Sequence, residues 1–164
     1  MKIRSRKARL QLAVIGVAAI AAIAVAGGAS VAAAQSGSRA VAAPVVINCS
    51  GHAVTKPKTY VLSCADGNSY LKRLHWASWG GSAAFASGTS VFNDCTPSCV
   101  NGHFHSFTAL VALWRPEALP GHAGQRYFTR LTIIYSGGRD YRAGGKKHRL
   151  PQTVTFPLSS GGGA

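Results

Sequence analysis

From Val45 onward, apolar residues alternate with polar ones in short runs, which is the period of a strand rather than of a helix. Val45 to Cys49 and Thr59 to Cys64 predict the first two strands. Asp66-Gly67-Asn68 then predicts a tight turn, because Gly and Asn take positive φ at low cost. Tyr70 to Trp76 predicts a third strand with Tyr70, Lys72, Leu74 and Trp76 on one face and Leu71, Arg73 and His75 on the other. Ser78-Trp79-Gly80-Gly81-Ser82 is expected to break that strand. Ala83 to Ser90 is small and weakly patterned, and predicts an edge strand or an extended loop.

Phe104 to Arg115 is the strongest strand. Phe107, Ala109, Val111 and Leu113 form one face, and Thr108, Leu110, Ala112 and Trp114 the other, so a central position or cover on both sides is expected. Beyond a Pro- and Gly-containing loop, Tyr127 to Tyr135 alternates again. Gln152 to Phe156 predicts a last short strand, and Ser159 to Ala164 a loose polar tail. No amphipathic helical stripe of useful length follows residue 34. The fold class expected is all-β: a small antiparallel β-sandwich or twisted sheet of about six to seven strands.

The beginning of the chain reads differently. Met1 to Arg9 carries five basic residues and no acid, and Leu10 to Ala34 is 25 residues without a charge. A basic n-region, an apolar h-region and Ala32-Ala33-Ala34 before Gln35 predict an export signal at 1–34, cleaved after Ala34, and a secreted product. If the segment were retained, it is long enough to cross a bilayer of about 30 Å and would anchor the chain. Residues 35–43 predict a flexible lead, 44–135 the β domain, and 136–164 a basic Gly-rich segment with a possible strand and a loose end.

Export changes the meaning of the four cysteines. An even number in an oxidising compartment predicts disulfides. Three pairings are possible. Cys49 with Cys64, between neighbouring strands, and Cys95 with Cys99, across a short Pro-containing turn, are favoured.

Charge narrows the partners only by sign. The chain from Gln35 has 13 Lys and Arg against Asp66, Asp94, Glu117 and Asp140, a net +9. Such a surface attracts polyanions such as an anionic cell-wall polymer, with nucleic acid not expected as the partner in vivo. The densest cluster is Arg139, Arg142, Lys146, Lys147 and Arg149. Lys72 and Arg73 beside Trp79 form a second candidate patch, with Trp79 expected to be exposed for stacking and Trp76 and Trp114 expected to fill the core.

Catalytic patterns are sparse. There is no G-x-S-x-G elbow, no C-x-x-C redox pair and no Gly-rich phosphate loop, and the spacing of the four acids does not pair any two. His103 and His105, at i and i+2 on one strand, have the spacing of two metal ligands and define the alternative reading, an extracellular metal-dependent hydrolase. The leading reading is a non-catalytic binding domain that requires no cofactor.

Three segments carry a resemblance: Cys64-Ala65-Asp66-Gly67-Asn68, Leu74-x-Trp76-x-x-Trp79-Gly80, and Asn93-Asp94-Cys95-Thr96-Pro97-Ser98-Cys99 followed by Gly102 and Phe104. In that order they resemble a group of small secreted, disulfide-containing proteins of high-GC Gram-positive (actinobacterial) bacteria. The resemblance spans about Cys49 to Tyr135. It implies export and a disulfide-containing domain, and no activity.

Overall fold

A computed structural model describes residues 42–164. The expected export segment at 1–34 and nearly all of the 35–43 lead lie outside the described residues. Ten strands follow in order: β1 (Val46–Ile47), β2 (Ala53–Val54), β3 (Thr59–Val61), β4 (Ser69–Trp79), β5 (Ala83–Asn93), β6 (Phe104–Ala118), β7 (Arg126–Ile134), β8 (Asp140–Ala143), β9 (Lys146–Arg149) and β10 (Thr153–Pro157). Six of them make one antiparallel sheet in the order β10-β7-β6-β5-β4-β3, and β1-β2 and β8-β9 are separate two-stranded ribbons. The fold is all-β, with the strands curled into one sheet rather than split into two facing sheets. Both expected disulfides form, Cys49–Cys64 and Cys95–Cys99.

A single sheet must bury its own inner face, and the curl does so. Leu71 and Leu74 of β4, Ala84 and Ala86 of β5, Ala109, Val111 and Leu113 of β6, and Leu131 and Ile133 of β7 converge there with Val46, Tyr60 and Leu158. The small alanines of β5 let the neighbouring strands bend over this centre. Ala83–Asn93 is therefore a central strand, paired with β4 on one side and β6 on the other, not an edge. Its small side chains, which weaken the strand signal, are what the concave side of a tight curl requires.

Strict alternation fails in β4 for a physical reason. The register with β5 shifts between Lys72 and His75 and again between Trp76 and Ser78. Arg73 takes φ +54° at the first shift. Each extra residue re-aims the strand by one position. Leu71, Leu74, Trp76 and Trp79 thereby all meet the core, although Leu71 and Leu74 differ by an odd number of residues. The strand runs through Trp79 instead of breaking before it.

Three further expectations are corrected. Trp79 is half-buried against the core: its Nε1 donates to the Pro44 carbonyl at 2.7 Å, and its ring meets Trp76 and Phe128 edge-on. Trp114 is the exposed tryptophan, on the outer sheet face. The C-terminal residues are held rather than loose. Leu158 N donates to Thr129 O of β7, and Ala164 N donates to Leu62 O beyond β3, so the last seven residues bridge the two sides of the curl. Gly162 (φ +97°) and Gly163 (φ +76°) make this crossing possible. A Cβ at Gly162 would strike the Asn48 carbonyl, and one at Gly163 the Cys64 sulfur.

The first bulge leads to a test. A Cβ at Gly88 would lie 2.9 Å from both Lys72 O and Leu74 Cδ2, facing the irregular part of β4. Gly88→Ala is expected to destabilise the protein by about 1–3 kcal/mol through overpacking. Gly137→Ala, where a Cβ meets nothing within 4 Å, should stay within about 0.5 kcal/mol. Urea unfolding of the two variants checks this, and equal midpoints would show that β4 and β5 are not tightly apposed there.

Candidate functional site

The inner face of the sheet continues past the aliphatic core into a second, aromatic region. Phe92 pairs with His105 across β5 and β6, and Phe107 follows two residues later on the same face. Phe92 stacks on Phe107 with ring centroids 5.9 Å apart and lies 5.5 Å from the His105 ring. The β8-β9 ribbon covers this region. Tyr141 and His148 are register partners on it and stack at 4.9 Å, and Tyr141 reaches the His105 ring at 4.5 Å. Five rings thus run in sequence from Phe107 to His148.

Asp94 orients His105. The turn after β5 places Asp94 opposite His103, where its backbone N donates to His103 O. Its Oδ1 accepts from the backbone N–H groups of Thr96 and His103, each at 3.0 Å, and its Oδ2 lies 2.8 Å from His105 Nε2. The Asp94 side chain is only 1% exposed. The hydrogen bond from His105, followed by that from the His103 amide, pulls its carboxyl down to about 2. An ionised carboxylate can only accept, so His105 carries a proton on Nε2.

The histidine pair is divided by this arrangement. His103 is exposed, whereas His105 is half-buried and committed to Asp94. No group of three or more His, Cys, Asp or Glu side chains able to hold a metal ion occurs among the described residues. His148, which the sequence places in a charge cluster, is instead a stacking residue.

The basic segment is an ordered ribbon with two unlike faces. Arg142 pairs with Lys147, and Asp140 with Arg149, on the face opposite Tyr141 and His148. Asp140 takes both Lys147 (2.9 Å) and Arg149 (3.4 Å), and the Lys147 hydrogen bond leads in lowering its carboxyl below the usual range. Arg142 and Lys146 have no acidic partner among the described residues. Arg139 turns inward: its guanidinium carbon sits 4.5 Å from the Tyr135 ring centre and 5.0 Å from that of Phe92.

The second expected patch does not assemble. Lys72 projects from the outer face beside Tyr70, Arg73 is exposed at the bulge, and Trp79 packs against the core. The aromatic members of the inner region, Phe92, Phe107, Tyr135 and Tyr141, carry no sequence motif. Comparison with family models, with curated proteins and with solved structures gives no match.

Asp94 yields a pH prediction. Its folded pKa of about 2 lies below its ordinary 3.8, so the unfolded chain binds the proton more readily. The stability it contributes is present above pH 3.8 and lost as pH falls through that value towards 2. Asp94→Asn should melt below the wild type at pH 6, and the gap should close towards pH 2. Melting temperatures at intervals between pH 2 and 6 measure this. A gap independent of pH would show that the carboxylate charge does not matter.

Proposed function

We propose that the protein is exported and acts outside the cell as a non-catalytic domain that binds anionic cell-envelope or extracellular polymers. The observation that carries this reading is the β8-β9 ribbon. Residues 139–149 hold Arg139, Arg142, Lys146, Lys147 and Arg149 against the single acid Asp140. Arg142, Lys146, Lys147 and Arg149 are exposed on it. A short two-stranded ribbon fixes the spacing of these charges, while flexible linkers would let them spread apart. A polymer with an anionic group in each repeat can meet several at once, and many weak contacts then sum to useful avidity.

Export is supported by the basic and apolar character of residues 1–34 and by the absence of free cysteines among the described residues. Lys72 and Arg73 contribute to the overall positive field, without the aromatic platform that Trp79 was expected to supply.

Binding to immobilised poly(glycerol phosphate) tests the assignment. It should weaken steadily as salt rises, because exposed charges are screened over about 8 Å at physiological ionic strength. Replacing Arg142, Lys146, Lys147 and Arg149 with Ser should reduce retention about tenfold or more with the melting transition preserved, and Lys72→Ser with Arg73→Ser should reduce it less. Retention unchanged in the ribbon variant would remove this function.

A further inference from the structure

Arg139 is set apart from the other cations of the ribbon. It is half-buried, and its Nε is buried without a hydrogen-bond partner among the described residues. Among the described residues no side-chain hydrogen bond or ion pair engages its guanidinium, and Asp140, the acid next to it, is occupied by Lys147 and Arg149. Tyr135 and Phe92 hold the group in place by its apolar faces. A guanidinium stacked in this way has lost freedom, and its Nε has lost water without gaining an acceptor among the described residues, a cost that an oxyanion beside the group offsets.

A cleft adjoins it. Its volume is about 490 Å³, and it is lined by Arg139, Arg149, Gln152, Phe107, Leu150, Gly137 and Gly138, together with Asp140, whose carboxylate is paired with Lys147 and Arg149. Sites for small molecules commonly span about 300–1,000 Å³. The lining combines the guanidinium of Arg139, the Arg149–Asp140 ion pair, an amide, one aromatic wall and a glycine pair that leaves the backbone open to close approach, and Lys147 on Asp140 keeps the balance of charge positive. Nothing lies within 4 Å of where a Cβ would stand at Gly137. These features suit a single compact unit with one oxyanion and a small polar or ring body.

We propose that this cleft is a binding subsite for one anionic repeat unit of the polymer, a phosphate or carboxylate on a polyol or sugar, with Arg139 as its charged contact. The assignment rests on the polyanion reading and deepens it. The exposed ribbon supplies avidity and salt-dependent attraction, while the cleft supplies a stoichiometric contact of defined shape. Planar, forked donors match both carboxylate and phosphate oxygens, so the geometry selects an oxyanion without choosing its central atom.

The test uses small monovalent probes, for which avidity plays no part. Glycerol 3-phosphate and glucuronate are titrated into the protein by calorimetry and by amide NMR, with glycerol and glucose as neutral counterparts. At least one anion should bind saturably at one site, move the amide signals of Gly137, Gly138 and Gln152, and bind tenfold or more tightly than its neutral counterpart. Arg139→Gln should weaken it about tenfold. Arg139→Lys, which keeps the charge and loses the fork, should weaken it nearly as much, and Lys58→Ser should leave it unchanged. Binding of glycerol 3-phosphate alone assigns phosphate, and of glucuronate alone carboxylate. The proposal is overturned if neither anion saturates, if the shifted amides lie elsewhere, or if Lys58→Ser weakens binding as much as the Arg139 variants. Retention on poly(glycerol phosphate) with no small-anion binding would overturn the cleft and leave the ribbon's role intact. Small-anion binding without retention would do the reverse.

Discussion

One curled sheet has to bury its own concave face, and most features of this protein follow from that constraint. Among the described residues no second full sheet shares the task. The inner surface is closed by the bend of six strands, by the β1-β2 ribbon and by the chain end that crosses between the two sides. On the inner face of the two central strands several residues are alanine or glycine, where larger groups would hold the neighbouring elements apart. Ala84, Ala86, Gly88 and Ala109 are of this kind. The two bulges in β4 let one strand follow the bend while keeping Leu71, Leu74, Trp76 and Trp79 directed inward. The Cys49–Cys64 disulfide lies at the closure, beside Gly162 and Gly163. Closing a loop of about 15 residues contributes roughly 3 kcal/mol on the chain-entropy account.

The same curl leaves its aromatic end to be covered by the basic ribbon. Because Tyr141 and His148 alternate with cations, one face of the ribbon stacks on His105 while the other displays positive charge. The exposed charges therefore depend on an aromatic contact for their placement. Asp94 supports that contact from beneath by fixing His105, and Asn93 supports the following loop. Asn93 Nδ2 donates to the Cys99 carbonyl at 2.7 Å, and its Oδ1 accepts from Cys95 N at 3.0 Å. The short Cys95–Cys99 loop and the ribbon are thus joined through two adjacent polar residues at the end of β5.

The outer face of the sheet has a different character. Phe85, Leu110, Trp114 and Ile134 are partly exposed there, with the Trp114 indole N–H donating to Thr132 Oγ1 at 3.0 Å. This explains why β6 reads as apolar on both sides. The apolar residues of its outer face are not buried by a second layer. The size of Trp114 suggests a core position, but a strand offers large side chains to either face, and only the direction of curl decides which face is inside.

What could be read from residues alone was local. Period-two alternation specified strands β6 and β7, and Asp66-Gly67-Asn68 specified its turn, because backbone preference and side-chain alternation act over a few residues. Cysteine number and spacing were enough to favour Cys49–Cys64 and Cys95–Cys99, since each closes a short loop. The clustering of Arg139 to Arg149 was visible because those charges are neighbours in the chain. Tertiary structure decided the rest. It made Ala83–Asn93 central, packed Trp79 against the core, exposed Trp114, tied down Ala164 and brought Asp94, His105, Tyr141 and Arg139 to one end of the sheet. Each of these depends on which strand lies beside which and on the sense of the curl, which is set by contacts between residues far apart in sequence.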